Sequence, residues 1–301
     1  MQQAITELQT AQIGEVAANV PMAACTTWKI GGPADLFLVP KGKRQLAEAL
    51  RILHRHRIPW IVIGKGSNLL VSDRGVRGAV IRLGAGMDYV RFEGTRVYAG
   101  GCLSMPKLSA LAAKRGLTGL EFASGIPGSV GGAVYMNAGA HGSDVSRILH
   151  QAEVMFGNGE LATMQNGDLQ YEYRHSVLHE RPGIVTEAVF DLQNGDPAEI
   201  EARMRAYRER RVQTQPLNLA CAGSVFRNPP GHYAAKLIEE AGLKGYRVGG
   251  AEVSPLHANF IINTGQATAK DVITLMEHVQ ETVFTKYGIR LVPEVLVVGE
   301  R

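Results

Sequence analysis

The sequence predicts an α+β fold, and three observations support that prediction. Short apolar segments with a two-residue alternation, typical of half-buried strands, recur through the first two thirds of the chain. Segments with apolar residues at helical spacing lie between and after them. Glycine is concentrated locally, because 17 of the 35 glycines lie between Gly64 and Gly142. That density indicates tight turns or a close approach of the backbone to a ligand.

The first part of the chain extends to about residue 195, where the composition changes. Helices are predicted over residues 43–57, which Pro59 follows, and over residues 105–115, which Gly116 ends. Asn-Gly pairs at 158–159 and 166–167 mark turns between strands. The predicted strands of this part are 59–64, 78–83, 95–100, 148–156, 160–164 and 183–192.

The second part, residues 196–301, reads as a smaller α/β unit. Asp196-Pro197-Ala198-Glu199 forms a capping box with proline at the first helical position, and it predicts the start of a basic helix. A short helix is predicted over residues 233–241. A long helix follows Thr268 and ends before Gly288. An apolar strand, RLVPEVLVVG, closes the chain.

Composition excludes several classes of protein. Hydrophobic residues make up 45% of the chain, which argues against disorder, and no apolar run approaches the roughly 18–20 residues of a membrane helix. No secretory signal is expected at the N-terminus. The three cysteines lie far apart, which indicates a reducing, cytoplasmic location and no metal site. The net charge of +4 fits an anionic small molecule or ordinary surface charge, with no nucleic acid or membrane partner expected.

Several familiar catalytic motifs are missing from the sequence. There is no G-x-G-x-x-G, no Walker loop, no H-E-x-x-H and no G-x-S-x-G. His54 and His56 lie two residues apart on a predicted helix, so they face different directions and are more typical of surface residues than of metal ligands. A Rossmann dinucleotide-binding unit and a zinc or serine hydrolase are therefore poorly supported.

Two glycine-rich loops are suited to hold phosphate. The first, Gly64-Lys65-Gly66-Ser67-Asn68, follows a predicted strand, and the second is Ser124-Gly-Ile-Pro-Gly-Ser-Val-Gly-Gly132. Glycines let successive backbone N–H groups converge on an anion, and serine and asparagine add side-chain hydrogen bonds. Either loop alone is more typical of a tight turn. Two such loops within 70 residues of each other predict a large cofactor that carries a diphosphate.

Two polar residues of the second part stand out, but their pattern leaves alternatives open. Glu294 follows a proline in an otherwise apolar strand, so it either faces solvent or is held in a site. Ser224 follows a glycine and precedes two apolar residues. As an isolated serine it is more typical of a capping or turn hydroxyl than of a catalytic group.

Taken together, the motifs resemble one family over about Cys25 to Arg301. They are TTWKIGGPADLFLVP, IGKGSNLLVSD, FASGIPGSVGGAVYMNAGA, YEYRHS, AGSVFRNPPGHYAAKLIEEAGLKG, HANFIIN and LVPEVLVVG. In this order they resemble the UDP-N-acetylenolpyruvoylglucosamine reductases. The resemblance implies an FAD-binding domain of the vanillyl-alcohol-oxidase (PCMH) type over residues 1–195, with two α/β subdomains at about 21–83 and 84–195. A substrate-binding domain would follow over 196–301, with its last strand (291–299) carrying Glu294.

The resemblance also implies a reaction in two halves. NADPH would reduce noncovalent FAD, and flavin N5 would then deliver hydride to C3 of an enolpyruvyl UDP-sugar in peptidoglycan precursor synthesis. Hydride addition places extra negative charge on the substrate carboxylate, which a cation and a hydrogen-bond donor stabilise. By position these are Arg174 and Glu294, and Glu294 donates only when protonated. The serine that matches the family's proton donor to C2 is Ser224.

The remaining implied contacts are with the cofactor and the sugar nucleotide. The cofactor-binding residues by resemblance are Gly64, Gly66, Ser67, Asn68, Ser124, Gly125, Gly128 and Gly131. The substrate-binding residues by resemblance are Asn228, Lys236 and Arg211. The stretch between Arg174 and Ser224 leaves little room for the inserted tyrosine loop of some family members, so the subtype without that lid is expected. We expect a monomer.

Two other functions compete with this interpretation. A flavin oxidase of the same fold class, acting on a sugar or an alcohol, would share the first domain but need not carry Ser224, Arg174 and Glu294. A nucleotide-binding protein without turnover would not need these three residues either. Rapid formation of peroxide in air would favour the oxidase, and an NADPH-oxidation assay with the UDP-sugar would separate the enzyme from the binding protein.

Overall fold

The computed structural model describes residues 1–300 and divides into two compact units. The first unit comprises residues 1–18, 36–64 and 78–209. The second comprises residues 19–35, residues 65–77 and the described chain from residue 210 onward. Each unit contains helices and strands, which confirms the predicted α+β class. Within the described chain, none of the helices has the length and apolar character needed to span a membrane.

The ends of the helices agree closely with the predicted ends where the sequence contains a capping residue. The carboxylate of Asp196 accepts the backbone N–H groups of Ala198 and Glu199 at 2.8 and 3.0 Å, as expected of an N-cap. Gly288 ends the long helix with a φ of 68°, the left-handed conformation that favours glycine. The α-helices are Gln2–Thr10, Lys43–Arg55, Met105–Ala113, Val130–Tyr135, Pro197–Thr214, Ala234–Glu240 and Ala269–Tyr287.

Two larger sheets carry most of the strands predicted in the first part of the chain. One has the order Gly14–Pro21, Pro33–Pro40, Val76–Arg82 and Trp60–Ile63, and its last two strands are parallel. The other is antiparallel, in the order Leu161–Gln165, Leu149–Phe156, Gly183–Asp191, Arg96–Gly100 and Val90–Glu93. The strand Gly183–Asp191 is central in this sheet, which explains why its sequence is almost continuously apolar.

Shorter strands complete the structure. An antiparallel sheet of the second unit has the order Ala220–Cys221, Ile261–Asn263, Ala251–Val253 and Arg247–Val248. Leu69–Val71 pairs in parallel with Leu296–Val298. The remaining pairs are Gly139–Ala140 with Ser143–Asp144, and Leu117–Thr118 with Gln193–Asn194.

The closing strand is shorter than the sequence predicts. It spans Leu296–Val298 instead of residues 290–299 or 291–299, and Glu294 therefore precedes it. Pro293 lacks an N–H group and forms only an isolated bridge with Phe226. The segment that carries Glu294 is thus held by neighbouring backbone outside the regular strand.

The apolar side chains form two cores in the first unit and one in the second. The first core contains Leu46, Leu50 and Leu53 of Lys43–Arg55, and the second lies between the antiparallel sheet and Met105–Ala113. The third surrounds Ala269–Tyr287 and includes the fully buried Trp28, whose indole Nε1–H donates to the carbonyl of Ile261 at 2.8 Å. The domain boundary at residue 195 stays a prediction.

Candidate active site

Gly64 and Ser129, one residue from each glycine-rich loop, lie close together in the first unit. Gly64 follows the strand Trp60–Ile63, and a Cβ atom at position 64 would lie 2.5 Å from the hydroxyl oxygen of Ser129. Ser129 is the N-cap of a short helix, and its hydroxyl accepts the N–H of Gly132 at 3.3 Å. Only glycine permits this close approach. Gly64 and Gly132 are both exposed, so a ligand can reach this part of the two loops.

Gly128 and Gly131 lie against neighbouring backbone in the same unit. The carbonyl of Gly128 accepts the N–H of Met105 at 3.0 Å. A Cβ atom on Gly131 would lie 3.0 Å from the carbonyl oxygen of Val185, which is tighter than an ordinary contact between these atoms. The loop therefore follows the antiparallel sheet closely, and a side chain at position 131 would push it away.

A buried carboxylate anchors the turn that carries Ser124 and Gly125. The carboxylate of Glu121 accepts hydrogen bonds from the Thr118 hydroxyl at 2.6 Å and the Gly119 N–H at 2.7 Å, and it pairs with Arg203 at 3.1 Å. Burial raises the pKa of Glu121, but these hydrogen bonds and the arginine outweigh it, so the pKa lies below its ordinary value. The Ser124 hydroxyl donates to the Glu121 carbonyl at 2.7 Å.

Arg174 is held in an unusual backbone conformation against a glycine. Its φ is 58°, in the left-handed region that few non-glycine residues adopt. Its guanidinium Nη2–H donates to the carbonyl of Gly139 at 2.6 Å, and its Cζ lies 4.9 Å from the centre of the Tyr173 ring. A Cβ on Gly139 would lie 2.5 Å from the Ser143 carbonyl oxygen and 3.1 Å from Nη1 of Arg174. A glycine at 139 is thus required for this placement of the guanidinium.

Asn137 fixes the backbone that leads into Arg174. Its side-chain amide donates to the carbonyl of Glu172 at 2.9 Å, and its side-chain oxygen accepts the N–H of Ser146 at 3.0 Å. Asn137 is 3% exposed and has a φ of 44°. The buried amide therefore joins the YEYR segment to the loop that follows Gly139.

In the second unit, the loop Gly66-Ser67-Asn68 packs against the segment around Thr27. Gly66 has a φ of 65°, and a Cβ there would lie 2.1 Å from the carbonyl oxygen of Cys25. The N–H of Thr27 donates to the Gly66 carbonyl at 3.1 Å. Position 66 therefore requires glycine both for its conformation and for its contact.

The same unit brings Asn68, Ser224 and Glu294 onto neighbouring segments. The N–H of Glu294 donates to the carbonyl of Val225, the residue after Ser224, at 2.8 Å. The Asn68 side-chain amide donates to the Glu294 carbonyl at 3.1 Å. The side chains of Ser224 and Glu294 are both partly exposed. A hydroxyl, a carboxyl and part of a glycine-rich loop are therefore assembled here, while Arg174 belongs to the first unit.

Arg211 is a partly buried cation. Its Nε–H donates to the side-chain oxygen of Gln215 at 2.9 Å, and across residues 1–300 no carboxylate pairs with its guanidinium. Burial lowers the pKa of Arg211, and the same burial raises the pKa of the nearby Cys221 thiol. A desolvated guanidinium with no acidic partner is suited to bind an anion.

The other two predicted substrate residues lie at the surface and make separate contacts. The side-chain oxygen of Asn228 accepts the N–H of Ala234 at 3.0 Å, at the start of Ala234–Glu240. The ammonium of Lys236 lies 3.7 Å from the Glu240 carboxylate, and its side chain is 71% exposed. An exposed pair of this kind is weak, so the ammonium remains available to a charged ligand.

The sequence analysis did not predict the residues that hold the backbone segments of the site in place. Glu121 lies just before the motif FASGIPGSVGGAVYMNAGA and Asn137 and Gly139 lie within it, but the sequence pattern assigned no role to any of the three. Asn259 lies in the HANFIIN motif, which was recognised but given no role. A buried, hydrogen-bonding asparagine in an apolar run is the signal that points to it, although its partner segment cannot be known from sequence.

The loops carry donors that fit a dinucleotide cofactor. The Ser67 hydroxyl has no hydrogen-bond partner and Lys65 no acidic partner within the described chain. Exposed N–H and O–H donors, together with a nearby ammonium, are what a diphosphate requires. The chemistry of these donors therefore fits the FAD that the sequence predicts.

Two family models match the chain. One, described as an FAD binding domain, matches residues 34–165. The other, described as the C-terminal domain of UDP-N-acetylenolpyruvoylglucosamine reductase, matches residues 215–298. The first match covers both glycine-rich loops, and the second covers Ser224 and Glu294.

UDP-N-acetylenolpyruvoylglucosamine reductases from other organisms match this chain over almost its whole length. UDP-N-acetylenolpyruvoylglucosamine reductase 1 of Bacillus cereus is 50% identical over 300 residues, which is 99% of this chain and 100% of its own. The crystal structure of the Thermus caldophilus reductase is 38% identical with a TM-score of 0.82, covering 94% of this chain and 98% of its own. Berberine bridge enzyme of Eschscholzia californica shares the fold, with a TM-score of 0.51 and 12% identity over 64% of this chain and 44% of its own.

The fold and its glycine-rich loops define an FAD-dependent oxidoreductase with an FAD-binding domain of the vanillyl-alcohol-oxidase type. This confirms the predicted fold class and cofactor. Within that class, the chain belongs to the UDP-N-acetylenolpyruvoylglucosamine reductase family. The resemblance found in the sequence is therefore confirmed.

Proposed function

We propose that this protein reduces UDP-N-acetylglucosamine enolpyruvate to UDP-N-acetylmuramate with electrons from NADPH, in the synthesis of peptidoglycan precursors. The proposal is supported by family membership and by one observation in the second unit. The segment that carries Ser224 is hydrogen-bonded to the segment that carries Glu294, through the 2.8 Å bond between Glu294 N–H and the Val225 carbonyl. The backbone segments that carry a hydroxyl and a carboxyl group are thereby held side by side.

Both the stabilisation of charge and the protonation of the substrate are assigned to residues of this chain. The chemistry that bound FAD supplies is uptake of a hydride from NADPH and its delivery to C3 of the enolpyruvyl group. Arg174 and Glu294 stabilise the negative charge that develops on the substrate carboxylate, with Glu294 donating in its protonated form. Ser224 then gives its hydroxyl proton to C2. A serine hydroxyl is a weak acid, so it acts only if the site reprotonates it readily.

The two glycine-rich loops would hold the flavin. Gly64, Gly66, Gly128 and Gly131 allow the backbone to approach the diphosphate and the ring system, and Ser67 supplies a free hydroxyl. Asn68, Ser124 and Gly125 complete the proposed set. As the resemblance in the sequence implies, we propose that FAD is bound noncovalently.

Arg211, Asn228 and Lys236 would contact the UDP-sugar. Arg211 is the strongest of the three, because its guanidinium is partly desolvated and has no acidic partner within the described chain. We propose that these groups serve the diphosphate in a protein that lacks the tyrosine lid.

We further propose that the chain is a monomer of the cytoplasm with an FAD-binding domain at 1–195 and a substrate domain at 196–301. The cytoplasmic location is supported by the three free cysteines, which fit a reducing compartment.

Two measurements test the function. The purified protein is expected to be yellow and to release FAD into the supernatant on acid precipitation. A colourless protein that FAD cannot reconstitute would contradict the proposal. NADPH oxidation should then depend on the enolpyruvyl UDP-sugar, and the reduced protein should react slowly with air. Rapid, substrate-linked formation of peroxide would instead establish a flavin oxidase.

A further inference from the structure

A buried asparagine, Asn259, forms the hydrogen bonds that a neighbouring strand would otherwise form with the segment that carries Ser224. Asn259 is 4% exposed. Its side-chain oxygen accepts the N–H of Phe226 at 2.9 Å, and its side-chain amide donates to the carbonyl of the same residue at 2.8 Å. Its own backbone carbonyl accepts the N–H of Val225 at 2.9 Å. The primary amide thus pairs with one residue as a neighbouring peptide group would.

The opposite edge of this segment is paired with the segment of Glu294. The Val225 carbonyl accepts the Glu294 N–H, and the N–H of Arg227 donates to the Val292 carbonyl at 2.9 Å. Val225 and Phe226 are at most 2% exposed. Both edges of the segment are therefore saturated, one by backbone and the other by Asn259.

The backbone of Ser224 lies between two held segments. On its N-terminal side, Ala222 is 2% exposed in the core of the second unit, but Gly223 follows it with a φ of 76° and open space where a Cβ would lie. On its C-terminal side, Asn259 and the Glu294 segment hold the backbone of Val225 and Phe226 between them. Because the flexible glycine separates Ser224 from Ala222, the C-terminal side is the more direct restraint on the serine backbone.

We propose that Asn259 is the positioning residue for Ser224, which it keeps in register with Glu294 by bonding both backbone polar groups of Phe226. The inference rests on the proposed function, in which Ser224 protonates C2. A purely structural asparagine would support folding and FAD binding without affecting one half-reaction selectively. A positioning residue affects the step that uses Ser224 and acts through Ser224.

The test combines half-reactions with a double-mutant cycle on the FAD-loaded protein. Asn259→Asp keeps the acceptor for Phe226 N–H and loses the donor to its carbonyl. We expect reduction of the flavin by NADPH to stay unchanged. Reoxidation by the enolpyruvyl UDP-sugar without oxygen should slow by on the order of 10², as expected for a misplaced catalytic group. In a Ser224→Ala background, Asn259→Asp should cause no further loss.

Asn263→Asp is the matched control. Asn263 lies in the same motif, and its side-chain amide donates to the carbonyl of Trp28 at 3.0 Å, away from residues 224–226. It should leave both half-reactions unchanged. If Asn259→Asp does not load FAD, Asn259→Ser is measured in the same way, with a smaller selective loss expected because its hydroxyl can replace one of the two bonds.

Specific outcomes overturn the inference. Equal slowing of both half-reactions, or full additivity with Ser224→Ala, would make Asn259 a structural residue. A wild-type protein that the UDP-sugar fails to reoxidise would refute the proposed function itself. Active wild type with equally active Asn259 variants would refute only the role of Asn259.

Discussion

The N–H of Glu294 and the carbonyl of Val225 form a 2.8 Å hydrogen bond, between residues that lie far apart in the sequence. The bond sets Ser224 and Glu294 on adjoining segments of the second unit. Neither residue could be distinguished from an ordinary turn serine or a surface carboxylate by its local pattern. Their juxtaposition is what makes separate tests of protonation and charge stabilisation worthwhile.

Replacement of Ser224 by alanine should affect a single chemical step. The variant is expected to fold, bind FAD and be reduced by NADPH at a near-normal rate. Its reoxidation by the enolpyruvyl UDP-sugar should fall by about 10²–10⁴, the usual contribution of a positioned acid. Ser224→Cys should retain more activity, because a thiol also delivers a proton. Single-turnover reoxidation of the alanine variant at the wild-type rate would show that the proton comes from elsewhere.

Arg174→Ala and Glu294→Ala should each slow the same half-reaction through loss of charge stabilisation. The removal of one well-placed electrostatic group typically costs roughly 3–4 kcal/mol, or about 10²–10³ in rate. Reduction by NADPH should suffer much less, and stopped-flow absorbance of the flavin measures both steps. Equal losses in the two halves would indicate damage to FAD binding or folding.

Gly139→Ala should reproduce part of the Arg174 defect without removing the arginine. The new methyl group would lie 2.5 Å from the Ser143 carbonyl oxygen and 3.1 Å from Nη1 of Arg174, so the guanidinium must move. We expect slower reoxidation by substrate with FAD still bound. Gly142→Ala is a useful control in the same loop, because its Cβ would meet nothing within 4 Å and only its φ of 80° strains the backbone. If the two variants behave alike, general distortion of the loop and not the arginine contact is responsible.

Glu121→Gln should reveal a pH-dependent contribution to stability. The pKa of Glu121 is lowered in the folded protein, so its ionised form stabilises the fold above the ordinary value of 4.5. Loss of its charged hydrogen bonds should cost about 1–3 kcal/mol at neutral pH. Urea unfolding of both proteins should show this difference to be constant above pH 4.5 and to shrink as the pH falls through the folded pKa. A difference that persists in acid would assign the effect to packing.

Local signals predicted the elements that carry their own caps. Asp196 and Gly288 marked helix ends correctly, because capping depends only on neighbouring residues. The helix Gln2–Thr10 was missed, since no side chain caps it and it buries only Ala4 and Leu8. The strand Gly14–Pro21 was missed as well, because its burial shows no regular alternation.

The site residues divide in the same way. Some could be predicted from their own sequence pattern, and others depend on contacts with residues far away in the chain. The glycine-rich loops could be predicted from their local density of glycine. The resemblance supplied roles for Ser224, Arg174 and Glu294. Asn259 escaped notice because its partner, Phe226, lies 33 residues away and offers only backbone groups. A contact of that kind leaves no trace in the identity of the partner residue.

The parallel pairing of Leu69–Val71 with Leu296–Val298 joins two segments of the second unit that lie far apart in the sequence. Asn68 and Glu294 are 226 residues apart, so both segments must be synthesised before they can meet. Pairings of such long range form slowly. A nascent chain that stops before residue 296 leaves Leu69–Val71 with an unpaired edge, which invites association with other chains.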